Sequence, residues 1–488
     1  MVLCATIAQF LRKRGFAMGC MRTRAFRTVA VLAVALASVG AAATTTVTGA
    51  TVTGATGTTA ARATADPVAY SLRMLPQIRP AAQQDIPYGQ TPIADAQCEA
   101  ELGVDCYLPT QVEAAYNLPQ LYSRGITGKG ETIVIVDAYG SPTISDDLAQ
   151  FDDYLGLGSP SFQIVTYGNV PPFDNTNAGM LDWAGETSLD VEYAHAGAPG
   201  AKIVLVEAAN ASKLIGAVGY AVSHHLGDVI SLSWSEAEPD LGSGLHQYDS
   251  VFAAAAKAHI TIVACTSDEG ASGIDDNGNY FKYPVVGWPA SDPLVTAVGG
   301  TELNLNASGQ RAGEDWAWND TYNTKVQNAW YGNDGPSPLA TGGGKSIEYG
   351  RPSYQNGVKS VTGSARGIPD ISMSASESSS VNVYESWYGD LGAWTPTGGT
   401  SESTPMFAAV VALADQVAGH SLGLINPALY EMAARHDPGI VAVASGNNTV
   451  TFGSTTVHGY TVKNGYNLVT GLGTINGQYF VPELARLG

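Results

Sequence analysis

The sequence has little positive charge. Its 488 residues include 24 Lys and Arg against 44 Asp and Glu. Residues 1–65 hold seven of the basic residues and no acidic one, so residues 66–488 carry a formal charge of −27. Nucleic-acid binding needs basic surfaces, and this composition excludes it as a main function. The charge is typical of a soluble protein that works outside the cell.

Other absences exclude further classes of site. The five cysteines and eight histidines form no cluster with zinc-ligand spacing. No histidine stands in a His-Gly-Thr context, so a histidine base for a serine nucleophile is not indicated. Cys98 and Cys106 are close enough in sequence to form a disulfide after export. Cys265 lies in an apolar run and is expected to be buried.

The first 65 residues contain the elements of an export signal. Arg22, Arg24 and Arg27 precede an apolar run at 29–39 and then small residues, and the run is too short to span a bilayer. We predict a signal peptide over 1–43, a Thr/Ala/Gly-rich flexible segment over 44–65 and a short N-terminal extension over 66–105. The expected location is therefore secreted and extracellular, with no stable membrane anchor.

From residue 106 onward, short β-branched runs alternate with amphipathic stretches. The predicted strands are 132–136, 202–206, 229–234, 261–265 and 294–298. The predicted helices are 144–154, 185–195, 211–225, 245–259 and 405–419. This alternation predicts an α/β fold over 106–488, a single domain whose mostly parallel central sheet is flanked by helices on both faces. The final third, rich in Gly, Ser, Asn and Tyr, is expected to be loops.

A hydroxyl residue stands at the start of the last predicted helix. Gly398-Gly399-Thr400-Ser401 leads into an apolar run, with Pro405 in the predicted first turn. Ser401 is thereby placed near a helix N-terminus, where free N–H groups and the helix dipole favour negative charge. A nucleophilic serine needs this when a tetrahedral oxyanion forms beside it.

Three carboxylates could serve this serine. Glu186 and Asp190 are four residues apart on one face of the predicted helix 185–195, and two coupled carboxylates share a proton. One can then act as a base while the other orients it. Asp268 follows the strand 261–265, at the sheet edge where sites assemble. A protonated Asp268 could donate a hydrogen bond to an oxyanion.

Together these motifs resemble the sedolisin family of serine-carboxyl peptidases, which have a subtilisin-like fold. Further matching blocks include 231–234, 288–293 and 366–370, and the resemblance covers about 106–488. It implies that Ser401 is the nucleophile, Glu186 the general base and acid, and Asp190 the residue that orients Glu186. Asp268 would donate to the oxyanion. In addition, the resemblance implies a supporting carboxylate at Asp137 and substrate-binding residues at Ser233 and Trp234.

The sequence departs from the family pattern in several places. Gly398 replaces the first serine of the serine motif, and Ser267 stands where the family usually has glycine. The calcium-binding carboxylates of the family align with Ala442 and Asn467, so we expect no metal and no cofactor. Residues 66–105 are too few for the large prosegment that relatives commonly carry.

The expected function is that of a secreted serine-carboxyl endopeptidase. It would hydrolyse peptide bonds in polypeptide substrates at acidic pH, and it is expected to be a monomer. The alternative is a secreted, weakly active or inactive protein of the same fold that binds peptide or cell-surface partners.

Overall fold

The structure, a computed structural model, describes residues 74–76, 79–80, 91–306, 309–331, 336–387 and 392–488. These residues belong to one compact unit. The predicted signal peptide and flexible segment lie outside the described residues. Within the described ranges, no helix is both long and apolar enough to cross a membrane.

The strands of the described residues are β1 Leu75–Pro76, β2 Arg79–Pro80, β3 Asp105–Tyr107, β4 Thr132–Ala138, β5 Ser161–Tyr167, β6 Lys202–Ala208, β7 Val229–Leu232, β8 Trp234–Ala237, β9 Thr261–Cys265, β10 Gly287–Trp288, β11 Thr296–Glu302, β12 Trp316–Ala317, β13 Gly344–Gly350, β14 Ala365–Ile368, β15 Ile371–Ser374, β16 Ser379–Glu385, β17 Ala393–Gly398, β18 Ile440–Val441, β19 Val450–Phe452, β20 Thr455–Val457 and β21 Thr474–Ile475.

The α-helices are α1 Asp95–Glu101, α2 Pro109–Ala115, α3 Pro119–Tyr122, α4 Ile144–Leu155, α5 Ala178–Gly197, α6 Leu214–Ser223, α7 Glu238–Leu241, α8 Asp249–Lys257, α9 Thr324–Tyr331, α10 Lys359–Thr362, α11 Thr400–Ala418, α12 Asn426–Ala434 and α13 Gly477–Leu487. Short 3-10 helices cover Ala211–Lys213, Gly242–Tyr248 and Ser353–Val358.

A sheet of eight strands forms the centre of the described unit. Its order is β12-β11-β9-β7-β4-β6-β5, and β15 also pairs with β11. All pairs are parallel except β11 with β12. In β4, Ile133 and Ile135 pack into the core on one face, while Val134 and Val136 pack into a second core on the other. Alternate side chains of a strand point to opposite faces, so this apolar run is buried on both sides.

The predicted α/β fold is confirmed, with changes at several element boundaries. The single strand predicted at 229–234 is two strands, because β7 ends at Leu232 and β8 begins at Trp234. The strand predicted at 294–298 is shifted, since β11 covers Thr296–Glu302. The helices predicted at 211–225 and 245–259 begin as 3-10 turns and end earlier. Such ends depend on capping and tertiary contacts that a periodic pattern does not record.

The final third was predicted as loops, and this was wrong for 344–398. That region contains β13 to β17. Strands β17 and β16 pair antiparallel within a four-stranded sheet of order β2-β17-β16-β3. All residues of β16 and β17 are buried, Ser and Thr included, so polar composition here does not mark exposure.

The described part of the N-terminal extension packs on the same unit. Strand β1 pairs antiparallel with β8, and β2 pairs antiparallel with β17. Cys98 of α1 and Cys106 of β3 form a disulfide with Cα atoms 5.9 Å apart. Cys265 is a buried free cysteine.

Candidate active site

Helix α5 carries the two paired carboxylates. The side chain of Asn177 caps it by accepting hydrogen bonds from the N–H groups of Gly179 and Met180. The helix is longer than predicted and packs along α11. Glu186 and Asp190 are both fully buried, and Glu186 lies beside the hydroxyl group of Ser401.

Ser401 lies in the first turn of α11. This helix begins at Thr400 and not at the predicted Pro405, which falls in the second turn. Gly399 precedes it with a φ of 111°, a conformation that residues with side chains rarely adopt. Ser401 Oγ donates to the backbone oxygen of Ser233 at 3.3 Å. First-turn N–H groups have no partner in the helical ladder, and the N–H of Ser401 is one of them.

Asp268 holds the residue next to the serine. Its Oδ1 accepts hydrogen bonds from the backbone N–H of Thr400 at 2.8 Å and from Thr400 Oγ1 at 2.7 Å. These two bonds fix the carboxyl group at the start of α11, and Asp268 is fully buried. A proton on this carboxyl would therefore be carried by Oδ2, because Oδ1 already accepts twice.

The backbone before Asp268 has a conformation that favours glycine, which is the residue that the resemblance implies at this position. Ser267 has a φ of 87°, in the left-handed region that favours glycine. Its backbone oxygen accepts a hydrogen bond from the N–H of Gly342 at 2.8 Å. A Cβ atom at Gly342 would lie 1.9 Å from the backbone oxygen of Thr266, so this contact requires glycine at 342. Ser267 keeps the turn at a conformational cost of about 1 kcal/mol.

Buried carboxyl groups surround the serine. Burial raises the pKa of Glu186 well above its usual value, and the charges of Asp190 and Asp137 raise it further. Burial and then the charge of Asp137 likewise raise the pKa of Asp190. The pKa of Asp137 rises to about 7, chiefly through burial. Groups this close cannot all ionise, so the cluster retains protons in weakly acidic solution.

Two hydroxyl groups orient these carboxylates. Ser233 Oγ donates to Asp190 Oδ1 at 2.7 Å, and Thr187 Oγ1 donates to Asp137 Oδ2 at 3.1 Å. Ser233 was predicted to bind substrate through the cleft strand. Its side chain contacts Asp190 and its backbone oxygen accepts a hydrogen bond from Ser401 Oγ, and the role in substrate binding stays a prediction.

Trp234 has a buried side chain and a main chain that pairs with the N-terminal segment, and its predicted role in substrate binding stays a prediction. Its ring is fully buried in the core cluster that includes Met74 and Val136, and Nε1 donates to the backbone oxygen of Val136 at 2.7 Å. Its backbone pairs with Pro76 of the N-terminal segment. The side chain therefore packs the core, and the main chain meets an extended peptide.

A cavity lies beside Ser267, between β8 and the loop that follows β9. Its charged lining residues are all acidic: Glu236, Asp240, Glu269, Asp275 and Asp276. Burial, and then the charges of Asp276 and Asp275, raise the pKa of Asp240 to about 6. Backbone N–H groups, first that of Asn279, lower the pKa of Asp275, so it stays ionised in weak acid.

The residues at the calcium positions implied by the resemblance do not fit a cation. Ala442 has no side-chain oxygen, and the side-chain nitrogen of Asn467 points toward backbone oxygens. In the described ranges, no group of three or more His, Cys, Asp or Glu side chains could hold a metal ion.

Sequence reasoning missed two contributors to this site. Thr400 was read only as part of the serine motif, and its bonds to Asp268 depend on the distance between α11 and the loop after β9. The second is the contact of Ser233 with Asp190, which the sequence did not predict. Both contacts join residues more than 40 positions apart, so no local pattern marks them.

Comparison with known proteins found a family match and several relatives. Residues 175–427 match the subtilase family. The chain is 31% identical over 356 residues to kumamolisin from Bacillus sp. (strain MN-32), covering 70% of this chain and 58% of that protein. It is 29% identical over 370 residues to tripeptidyl-peptidase 1 of Dictyostelium discoideum, covering 70% and 53%. The chain thus spans just over half the length of these relatives.

One solved structure with the same overall fold is that of Pseudomonas sedolisin, a serine-carboxyl proteinase complexed with two molecules of pseudo-iodotyrostatin. The TM-score is 0.65 at 29% sequence identity, and the match covers 78% of this chain and 97% of that one.

Proposed function

The chain belongs to the subtilase family and, within it, to the sedolisin-type serine-carboxyl peptidases, and from this we propose that it is a secreted endopeptidase active at acidic pH. Ser401 is the proposed nucleophile and Glu186 its general base. Asp190 orients Glu186, and Asp268 stabilises the oxyanion. Polypeptides are the proposed substrates, and the enzyme is proposed to act as a monomer without a metal.

One observation carries this proposal. The hydroxyl group of a serine at a helix N-terminus lies beside a buried carboxyl pair, Glu186 and Asp190, while Asp268 bonds to Thr400 next to that serine. A nucleophile, a base with an orienting partner and an oxyanion donor thus share one buried site.

The proposed reaction uses the proton that the carboxyl pair shares. Asp190 keeps this proton and donates it as a hydrogen bond to Glu186, so Glu186 stays ionised and can accept another proton, while Ser233 donates to the other oxygen of Asp190. Glu186 accepts the proton of Ser401 as Ser401 Oγ attacks the carbonyl carbon of the peptide bond. The resulting oxyanion accepts hydrogen bonds from protonated Asp268 and from the backbone N–H of Ser401.

Collapse of the tetrahedral intermediate then breaks the C–N bond. Glu186 gives its proton to the leaving amine, and an acyl ester on Ser401 remains. Water repeats the sequence: Glu186 takes a proton from it, the hydroxyl attacks the ester carbonyl, and Ser401 recovers its proton as the acid product leaves. Catalysis therefore needs a retained proton on the Glu186–Asp190 pair and a neutral Asp268, which favours acidic pH.

The path of the N-terminal segment supports an endopeptidase over an exopeptidase. Leu75 and Pro76 pair antiparallel with β8, which begins next to Ser233. Arg79, three residues after Pro76, and Pro80 pair with β17, which ends three residues before Ser401. Extended backbone is accommodated on strands at both sides of the serine, as cleavage of an internal bond requires.

Secretion is supported by the sequence and by one covalent feature. The basic and apolar segments at 22–39 have the order of an export signal. The Cys98–Cys106 disulfide is typical of proteins that fold in oxidising compartments.

The test is proteolysis of a denatured protein at acidic pH by wild-type protein and by Ser401→Ala. We expect the variant to lose activity by a factor on the order of 10⁴ or more, since the nucleophile is removed. Ser123→Ala, at an exposed serine, is the matched control and should retain activity. Equal activity in wild type and Ser401→Ala would refute the assigned nucleophile, and inactivity of both would favour the peptide-binding alternative.

A further inference from the structure

The side chain of Asn467 lies at the centre of a ring of oxygen atoms. Its Nδ2 is 3.1 Å from Thr470 Oγ1 and 3.4 Å from the backbone oxygen of Gly465. The backbone oxygens of Lys463 and Gly471 are each 3.5 Å away. A single amide nitrogen thus faces four oxygens of the loop 463–471, and three of them are carbonyl oxygens.

The other end of the same amide fixes its orientation. Asn467 Oδ1 accepts hydrogen bonds from the backbone N–H groups of Val469 at 3.0 Å and Thr470 at 2.9 Å. A flipped amide would direct N–H groups at N–H donors and an oxygen at carbonyl oxygens. The hydrogen-bond network therefore determines which end is the nitrogen.

Converging carbonyl oxygens need a positive centre between them. Their partial negative charges repel one another, and Asn467 is only 4% exposed, so water screens this repulsion poorly. A bound cation can supply the positive charge, as calcium does with carbonyl and carboxylate ligands. The two hydrogens of an amide group can supply a smaller positive charge at the same point.

We propose that the side-chain amide group of Asn467 takes the place of a bound cation and holds the loop 463–471 together without calcium. The resemblance implies carboxylates at positions 442 and 467, but the first is a methyl group and the second presents N–H donors to the ring. Ala442 and Asn467 line the same cavity, so the two positions implied by the resemblance are neighbours in the fold.

This loop contacts the candidate active site indirectly. A Cβ atom at Gly343 would lie 2.5 Å from the backbone oxygen of Leu468, so the loop packs directly against the main chain at 343. The neighbouring Gly342 donates to the backbone oxygen of Ser267, which precedes Asp268. The loop centred on Asn467 therefore backs the turn that carries the proposed oxyanion donor.

The experiment compares thermal unfolding in EDTA and in millimolar calcium, in the Ser401→Ala background to prevent self-digestion. The parent protein should unfold at the same temperature in both. Asn467→Asp replaces the amide nitrogen with a carboxylate oxygen that faces the carbonyl ring, so its Tm in EDTA should fall by about 3–8 °C. Calcium should restore most of this loss, because a cation can now bind the added carboxylate.

Two further variants sharpen the comparison. Asn464→Asp adds the same charge at an exposed position of the same loop and should respond to neither EDTA nor calcium. Ala442→Asp/Asn467→Asp adds the second carboxylate and should bind calcium more tightly by calorimetry. If Asn467→Asp fails to fold without calcium, the double variant folded in calcium and then treated with EDTA reports the same dependence.

Three results would overturn the proposal. They are a parent protein whose Tm rises with calcium, an Asn467→Asp variant as stable as the parent in EDTA, and an Asn467→Asp variant that loses stability but does not respond to calcium.

Discussion

At the scale of single residues, the reactivity proposed for Ser401 depends on where protons reside among its neighbours. Glu186, Asp190 and Asp137 are all fully buried, and burial is the main cause of each raised pKa. Glu186 can act as a base only if its partner carries the shared proton. This geometry is consistent with the proposal that Ser401 acts as a nucleophile without a histidine base.

Glu186→Gln tests this proton transfer. The amide keeps the size of the side chain but cannot accept the proton of Ser401, so we expect kcat/KM to fall by about 10²–10⁴. Peptide hydrolysis followed across acidic pH measures this. Glu99→Gln, on the exposed surface, is the control. Retention of wild-type activity by Glu186→Gln would contradict the assignment of the base.

Ser267→Gly tests the strained turn before Asp268. Glycine adopts the φ of 87° without steric cost, so the variant should gain stability, with a Tm about 1–4 °C higher. Ser123→Gly, at an exposed helix-end residue with φ near −60°, should instead lower the Tm slightly. Thermal unfolding in the Ser401→Ala background measures both, and a lower Tm for Ser267→Gly would refute the strain.

At the scale of elements, we propose that substrate binds along strand β8 and beside the loop after β9. Strand β8 pairs with extended backbone on one side, and the cavity beside Ser267 is lined by five acidic residues. Pairing of a peptide with β8 would not depend on the sequence of that peptide, because all peptides can form main-chain hydrogen bonds. If a substrate side chain reaches the cavity, its acidic lining would distinguish side chains by charge.

We expect this cavity to favour basic side chains. Peptides that differ only by Lys or Glu, at each position on the amino-terminal side of the cleaved bond, should differ in kcat/KM by about tenfold or more in favour of Lys at one position. Asp275→Asn should reduce this ratio, since Asp275 stays ionised in weak acid. Asp153→Asn, an exposed residue elsewhere, should not. Equal rates for Lys and Glu peptides at every position would contradict the prediction.

At the scale of the whole molecule, buried carboxyl groups link stability to pH. Burial raises the pKa values of Glu113, Glu385 and Asp415 to about 8 each. The folded state therefore binds protons that the unfolded state has released. This stabilisation is fully present below the ordinary carboxyl pKa and is lost as pH rises toward 8. Each unit by which the pKa in the folded state exceeds the pKa in the unfolded state corresponds to about 1.4 kcal/mol in the free energy of unfolding.

The protein should accordingly be most stable in acid and lose stability steadily between about pH 4.5 and 8. Thermal unfolding of the Ser401→Ala protein across this range measures the loss. Glu385→Gln removes one of the responsible protons, so its Tm should fall less over the same range. Glu99→Gln should follow the parent curve. A Tm that rises from pH 4.5 to 8 would reverse the assigned sign.

Local sequence patterns were enough to predict the fold class and the identity of the proposed catalytic side chains. Two of these patterns are the apolar strands such as β4 and the i, i+4 spacing of Glu186 and Asp190. Both are local in sequence, so they can be recognised without knowledge of the packing. The start of α11 was misplaced because Pro405 reads locally as a first-turn residue, although the fold begins the helix at Thr400.

The contacts between these residues depend on the tertiary packing. The bonds from Thr400 to Asp268 and from Ser233 to Asp190 join distant segments, and they fix the carboxyl groups only because the packing of α5, β7 and α11 brings those segments together. The ring of oxygens around Asn467 lies within the short loop 463–471, but it depends on the backbone conformation of that loop, which the residue types alone do not specify. The sequence specifies which groups can donate or accept a hydrogen bond. The distances and angles between them in the folded chain determine which of them interact.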